Sequence, residues 1–147
     1  MASFEGGCLC RQVRYHVESE PLAALACHCR DCQYVSGGTE ANVVVVPMAA
    51  LQKSGTEQVY RSTANSGTAV WRAFCPTCGT PLFAGNAKHP DMIVIKVGTL
   101  DDPAGFKRQG HIWMASAPPW HLTEPDVPAS PENPRVVSSA SGRRVTF

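Results

Sequence analysis

All seven cysteines of the chain fall inside three short motifs: Cys8-Leu9-Cys10, Cys27-His28-Cys29-Arg30-Asp31-Cys32 and Cys75-Pro76-Thr77-Cys78. Thiolates one or two residues apart can grip one metal ion, whereas disulfide partners usually lie far apart in sequence. A structural zinc ion takes four such ligands in a tetrahedron, and a catalytic one takes three and keeps a position open. Seven is four plus three. The count suggests one closed site and one open site.

The motifs differ in how much they say alone. Cys75-Pro76-Thr77-Cys78-Gly79 reads as a zinc knuckle, a tight turn that aims both thiolates inward and is followed by a glycine able to take positive φ. A redox C-x-x-C pair would call for a strand-and-helix context, and strands are expected on both sides here. Cys8-Leu9-Cys10 is weaker. In an extended strand both thiols point one way and Leu9 faces the core, and without partners the two would be small buried hydrophobes. Three thiolates within Cys27–Cys32 are hard to explain as packing. Spacing does not decide which cysteines share an ion: a zinc-ribbon reading joins Cys29 and Cys32 to Cys75 and Cys78. That pairing strands Cys8, Cys10 and Cys27, whereas a two-site partition uses every thiol.

The elements that must position these groups are mostly strands. Val13, Tyr15 and Val17 alternate with polar residues, and Asn42–Val46 is a β-branched run suited to a buried strand. Gln58–Arg61, Thr68–Phe74, Pro81–Ala84, Met92–Val97 and His111–Met114 are further candidates, and Pro47–Lys53 suits a helical turn or two. Glycine, serine and aspartate clusters punctuate them. Short strands, frequent turns and little helix predict a mainly β domain.

From Pro118 onward six of the twelve prolines crowd the chain, which predicts an extended surface segment with Trp120 as its anchor. Arg135–Phe147 is serine-rich and expected to be loosely held, with Val145–Phe147 as an edge strand. The expected organisation is a zinc-binding domain over residues 1–123 and a Pro/Ser-rich tail over 124–147.

Thirteen Lys+Arg against twelve Asp+Glu imply no broad basic face, so nucleic-acid binding is not expected. The start, Met1-Ala2-Ser3-Phe4-Glu5, lacks a signal peptide's basic and apolar regions, and Ala41–Leu51 is too short and interrupted to cross a bilayer. A cytoplasmic protein without membrane contact is the expectation, and in that compartment clustered cysteines are metal ligands or redox groups more often than disulfides.

Taken in order, Gly6-Gly7-Cys8-Leu9-Cys10, Cys27-His28-Cys29-Arg30-Asp31-Cys32 and Phe74-Cys75-Pro76-Thr77-Cys78-Gly79-Thr80-Pro81-Leu82 resemble the glutathione-dependent formaldehyde-activating enzyme family, which includes centromere protein V. Val97-Gly98-Thr99-Leu100-Asp101, His111-Ile112-Trp113 and Ala117-Pro118-Pro119-Trp120 look like its later stretches, so the resemblance runs from Ser3 to Trp120. It implies an Mss4-like, zinc-stabilised β-sheet fold. Carried over by position, it implies a structural zinc on Cys8, Cys10, Cys75 and Cys78, and a second, catalytic zinc on Cys27, Cys29 and Cys32 with an open position. The activity it implies joins formaldehyde to glutathione, or runs in reverse as a carbon–sulfur lyase.

Around the open site, His28 offers a fourth ligand or a proton shuttle, and Arg30 and Asp31 offer hydrogen bonds that orient the thiolates. Ser36-Gly37-Gly38 offers backbone amides to a ligand. Glutathione's two carboxylates would need cations, with Arg11, Arg14, Arg30 and Arg72 as candidates. Trp71, Trp113 and Trp120 are pocket or core residues. Two competing functions are a non-catalytic zinc-stabilised binding module, which needs two closed sites, and a redox enzyme of the methionine-sulfoxide-reductase kind, which needs a reactive cysteine free of metal.

Overall fold

Alternation of buried and half-buried residues sets out the first sheet. The computed structural model describes residues 1–134, 136–138 and 141–146. Strand β1 (Phe4–Gly7) turns back through Cys8–Val13 into β2 (Arg14–Val17), where Tyr15 and Val17 are buried and Arg14 and His16 half-buried. Then come β3 (Ala23–Cys27), helix α1 (Arg30–Ser36), β4 (Ala41–Pro47), β5 (Leu51–Ser54), β6 (Gln58–Thr63), β7 (Ala69–Phe74), β8 (Pro81–Asn86), β9 (Met92–Lys96) and β10 (Gly110–Ile112). A short hairpin follows, β11 (Val136–Ser138) with β12 (Arg144–Thr146). The fold is mainly β, with one short α-helix among the described residues, consistent with an Mss4-like architecture. None of the described helices is long and apolar enough to cross a membrane.

The chain divides into two units, each assembled from separated stretches. The first comprises Met1–Pro21 and Val45–Gly105. It holds the antiparallel sheet β1-β2-β5 and the antiparallel succession β6, β7, β8, β9. Leu82, Phe83, Ile93 and Ile95 are fully buried at its centre, and Tyr15 meets Phe83 edge-on at 5.4 Å. Burial first, and then the charge of Asp101, pushes the Tyr15 phenol up to about 12, so it stays neutral and hydrogen-bonds the Thr99 hydroxyl at 2.8 Å. Trp71 lies across Gly85, its partner in the β7–β8 register.

The second unit comprises Leu22–Val44 and Phe106–Phe147. Strand β3 is buried along its whole length and pairs in parallel with β10, Ala26 opposite His111 and Cys27 opposite Ile112. The ladder runs one step past the strand, because the His28 amide donates to the Ile112 carbonyl at 2.9 Å. On its other side β10 meets the proline-rich segment: the His111 amide donates to the Pro128 carbonyl and the Ser130 amide to the His111 carbonyl, each at 2.8 Å.

Several sequence expectations need correction. Cys8–Cys10 is not a strand but part of the β1–β2 turn, and Leu9 is 85% exposed instead of facing the core. Trp120 is 62% exposed, so it does not anchor the segment after Pro118. Pro47–Lys53 supplies one 3-10 turn, Met48–Ala50, and then the start of β5. The sequence reading has no counterpart for strands β1, β3 and β11 or for helix α1. The edge strand expected over Val145–Phe147 falls at Arg144–Thr146; Phe147, with Arg135, Ser139 and Ala140, lies outside the described residues.

Candidate metal centres

The structure gathers the cysteines into two groups, each inside one unit. Cys8, Cys10, Cys75 and Cys78 have all their sulfurs within 4.8 Å of one another, and so do Cys27, Cys29 and Cys32. No disulfide joins any of the seven.

In the group of four, two turns face each other. The first is closed by the Cys8 amide on the Val13 carbonyl at 3.0 Å and the Arg11 amide on the Cys8 carbonyl at 2.9 Å, with Arg11 in the left-handed region at φ 66. The second is the knuckle, where the Gly79 amide donates to the Cys75 carbonyl at 2.9 Å. Gly79 takes φ 74, a conformation that strains residues with a Cβ. Thr80 stitches the turns together. Its hydroxyl oxygen accepts from the Leu9 amide at 3.1 Å, which leaves the hydroxyl proton for Cys78 Sγ, also at 3.1 Å.

These contacts partition the protons of the group unequally. The Thr80 hydroxyl first, then the Thr80 and Cys10 amides, bring the Cys78 thiol down to about 5. Burial works against ionisation of Cys8, yet the Val13 amide and the Cys10 and Cys75 thiols still hold it below its ordinary value. Although the Gln12 amide favours its thiolate, desolvation and the three other thiols push Cys10 up to about 12. Such a group releases its last protons only to a cation. Its geometry fits one: the edges of a zinc–sulfur tetrahedron are about 3.8 Å, from a Zn–S bond of about 2.3 Å. Cys8 and Cys10 sulfurs are 3.5 Å apart, and those of Cys10 and Cys75 3.7 Å.

The group of three is built on the end of β3 and the start of α1. Cys29 is the N-cap of the helix, its sulfur accepting from the Cys32 amide at 3.4 Å, so Cys32 returns to the same side one turn later. The helix closes at Gly37, a left-handed cap at φ 89, and the Gly38 amide donates to the Gln33 carbonyl at 2.8 Å. Cys27 and Cys32 are buried and Cys29 partly so. Contact with Cys29 and Cys32, together with burial, drives the Cys27 thiol well above its ordinary value. Three thiolates this close coexist only around a positive charge, and the donor set suits a thiophilic ion such as zinc. Among the described residues no fourth histidine, cysteine or carboxylate joins them.

His28, the residue between two of these cysteines, is fully buried and directed elsewhere. Its Nε2 lies 3.0 Å from Nδ1 of His111, and His111 Nε2 lies 2.8 Å from a Glu124 carboxylate oxygen. Gln33, also buried, donates through its amide to the carbonyls of His28 and Ser116, each at 2.8 Å. Arg30 donates to the Gln33 side chain and stacks over Tyr34 at 5.0 Å. Of the four candidate arginines, Arg30 alone shares a unit with this group. Arg14 is paired with Asp101, Arg72 reaches the Ser62 hydroxyl at 3.4 Å, and Arg11 lines a cavity of about 420 Å³ beside Cys8. Trp113 donates to Asn133 at 2.8 Å. The sequence reading missed Gln33 and the roles of His111 and Glu124. The one available signal was a histidine placed between Gly110 and Ile112 in an otherwise apolar strand.

Comparison with known proteins places this geometry in context. A sequence profile described as glutathione-dependent formaldehyde-activating enzyme matches residues 3–116. A search of curated proteins returns no match. Among solved structures, a crystal structure of a Rhodobacter sphaeroides protein is similar in fold, with a TM-score of 0.54 at 20% identity, over 86% of this chain and 99% of that one.

Proposed function

The chain belongs to the glutathione-dependent formaldehyde-activating enzyme family, and from that premise we propose that it is a zinc-dependent carbon–sulfur lyase-type enzyme acting on a small thiol adduct, with glutathione and formaldehyde as its partners. One observation carries the reading: a closed group of four cysteines coexists with a group of three that has no fourth protein ligand among the described residues. In this reading Cys8, Cys10, Cys75 and Cys78 hold a structural zinc, and Cys27, Cys29 and Cys32 hold the catalytic one. Zinc bound to three thiolates supplies a position where a thiol loses its proton at neutral pH.

The reaction forms a bond between the thiol sulfur and the carbonyl carbon. The carbonyl π electrons move to oxygen, which takes up the proton the thiol gave, yielding S-hydroxymethylglutathione; the lyase direction reverses each change. The protein's part is to hold the sulfur and keep the fourth position available. Cys27 and Cys32, both buried, form the floor of the site, and Cys29 at the helix cap forms its more open side. His28 leaves the position open because its ring is engaged with His111. In the same reading residues 124–147 are a Pro/Ser-rich tail packed on the surface, and the protein is cytoplasmic.

Calorimetric titration of reduced glutathione into zinc-replete protein tests this, with S-methylglutathione as the control that offers no thiol. Binding of glutathione and not of the blocked form is the expected result. Equal binding of both, or of neither, would remove the thiol from the open position and with it the lyase reading.

A further inference from the structure

A second set of side chains in this unit has no place in the chemistry above. His28 is 0% exposed, and its Nδ1 has no hydrogen-bond partner among the described residues. Among the described residues, the hydrogen bond at Nε2 to His111 is therefore the one that sets this ring's tautomer, while the His121 ring packs edge-on against it at 5.0 Å. His111 is itself fully buried and ends on Glu124. Glu124 is gripped in turn by Arg108, which also binds Glu40 at 3.0 Å and the Asn42 side chain at 2.8 Å. The Glu124 carboxyl is held down at about 2 by its own backbone amide, His111 and Arg108, so it remains an acceptor.

The order of donors along this chain follows from its far end. A carboxylate only accepts, so His111 must present a proton on Nε2. With both rings neutral, its Nδ1 is then the acceptor, and His28 must donate from Nε2. Small Ala26 opposite His111 in the β3–β10 register leaves room for the buried ring. The segment that brings Glu124 here is fastened beside it by the Pro128 and Ser130 contacts to His111.

We propose that Glu124 is a positioning residue for the three-thiolate site: through His111 it fixes the tautomer and direction of His28, and thereby the separation of Cys27 and Cys29. His28 is thus a strut between two ligands and not a ligand. The proposal rests on the reading of Cys27, Cys29 and Cys32 as a metal site, and hydrogen bonds behind ligands of this kind are commonly worth ten- to a hundredfold in metal affinity.

The test is metal affinity of the full chain, site by site, by competition with a zinc chelator and by the sulfur-to-cobalt charge-transfer bands of the cobalt-loaded protein. Nitrogen-15 shifts of the histidine rings report the tautomers. In Glu124→Ala the weaker of two sites should lose about tenfold or more in affinity, with the tighter site unmoved and the His28 and His111 tautomers mixed. Glu124→Gln keeps an acceptor for His111 and should restore both signatures. Two sites of unchanged affinity in Glu124→Ala would overturn the proposal, as would equal weakening of both, which marks general destabilisation. A Gln variant as weak as the Ala variant would overturn it too, since the Arg108 ion pair and not the hydrogen bond would then be the working contact. If the unaltered protein takes up a single metal ion, the open-site reading falls first and the proposal with it.

Discussion

Thr80 illustrates how much one hydroxyl can do beside a thiol. By accepting from Leu9 and donating to Cys78 it joins the two ligand turns and stabilises a thiolate. In Thr80→Val the Cys78 thiol should titrate well above 5, read by thiolate absorbance of metal-free protein against pH. The sign for stability follows. A thiol whose folded-state value drops from 9.0 to about 5 favours the fold fully above 9 and progressively less as pH falls. The stability difference between wild type and Thr80→Val in urea should therefore be large at alkaline pH and vanish as pH falls through 5. A difference that persists into acid would trace the effect to packing of the methyl groups instead.

Helix α1 and strand β3 form the element that presents the three thiols, and Gln33 locks it. Its amide satisfies the carbonyls of His28 and Ser116, one buried and one part-buried acceptor separated by 88 residues of chain. Gln33→Leu fills the same space and orphans both, at a cost of about 2 kcal/mol or more. The expected measurement is a lower urea midpoint with an unchanged slope; an unchanged midpoint would mean that water or another donor serves these carbonyls. These are also among the elements that sequence reading missed, and the reasons are physical. Ala23-Ala24-Leu25-Ala26-Cys27 is buried throughout, so no period-two pattern marks it. Seven residues of helix started by a cysteine N-cap carry no ordinary capping signal. Leu9 misled for a related reason: a turn, like a strand, can bring residues two apart to one side, but it leaves the intervening residue in solvent. What was legible was local. Thiols one or two residues apart must converge, and alternating or β-branched runs such as Tyr15–Val17 and Val43–Val46 do form strands. The His28–His111–Glu124 chain spans separations of 83 and 13 residues, where spacing says nothing.

For the molecule as a whole, the two cysteine groups should part company under chelation. Four ligands tied by two facing turns hold an ion more tightly than three, so a chelator should strip metal in two stages. The second stage should coincide with loss of the folded signal in circular dichroism, because binding energy at a structural site is folding energy. Simultaneous release of both ions without unfolding would contradict that division of labour. Each unit, moreover, is stitched from two stretches of chain, with the first interrupted by Leu22–Val44. On a ribosome this sets a timetable. Cys32 emerges 79 residues before His111, about 4–16 s at common elongation rates. During that interval the three-thiol loop stands without β10, His111 or Glu124, a nascent thiol cluster open to oxidants and to whichever soft metal arrives first. The four-thiol group is complete at Cys78, 33 residues before that support arrives. Newly made protein should thus complete the support of its four-thiol group before that of its three-thiol group.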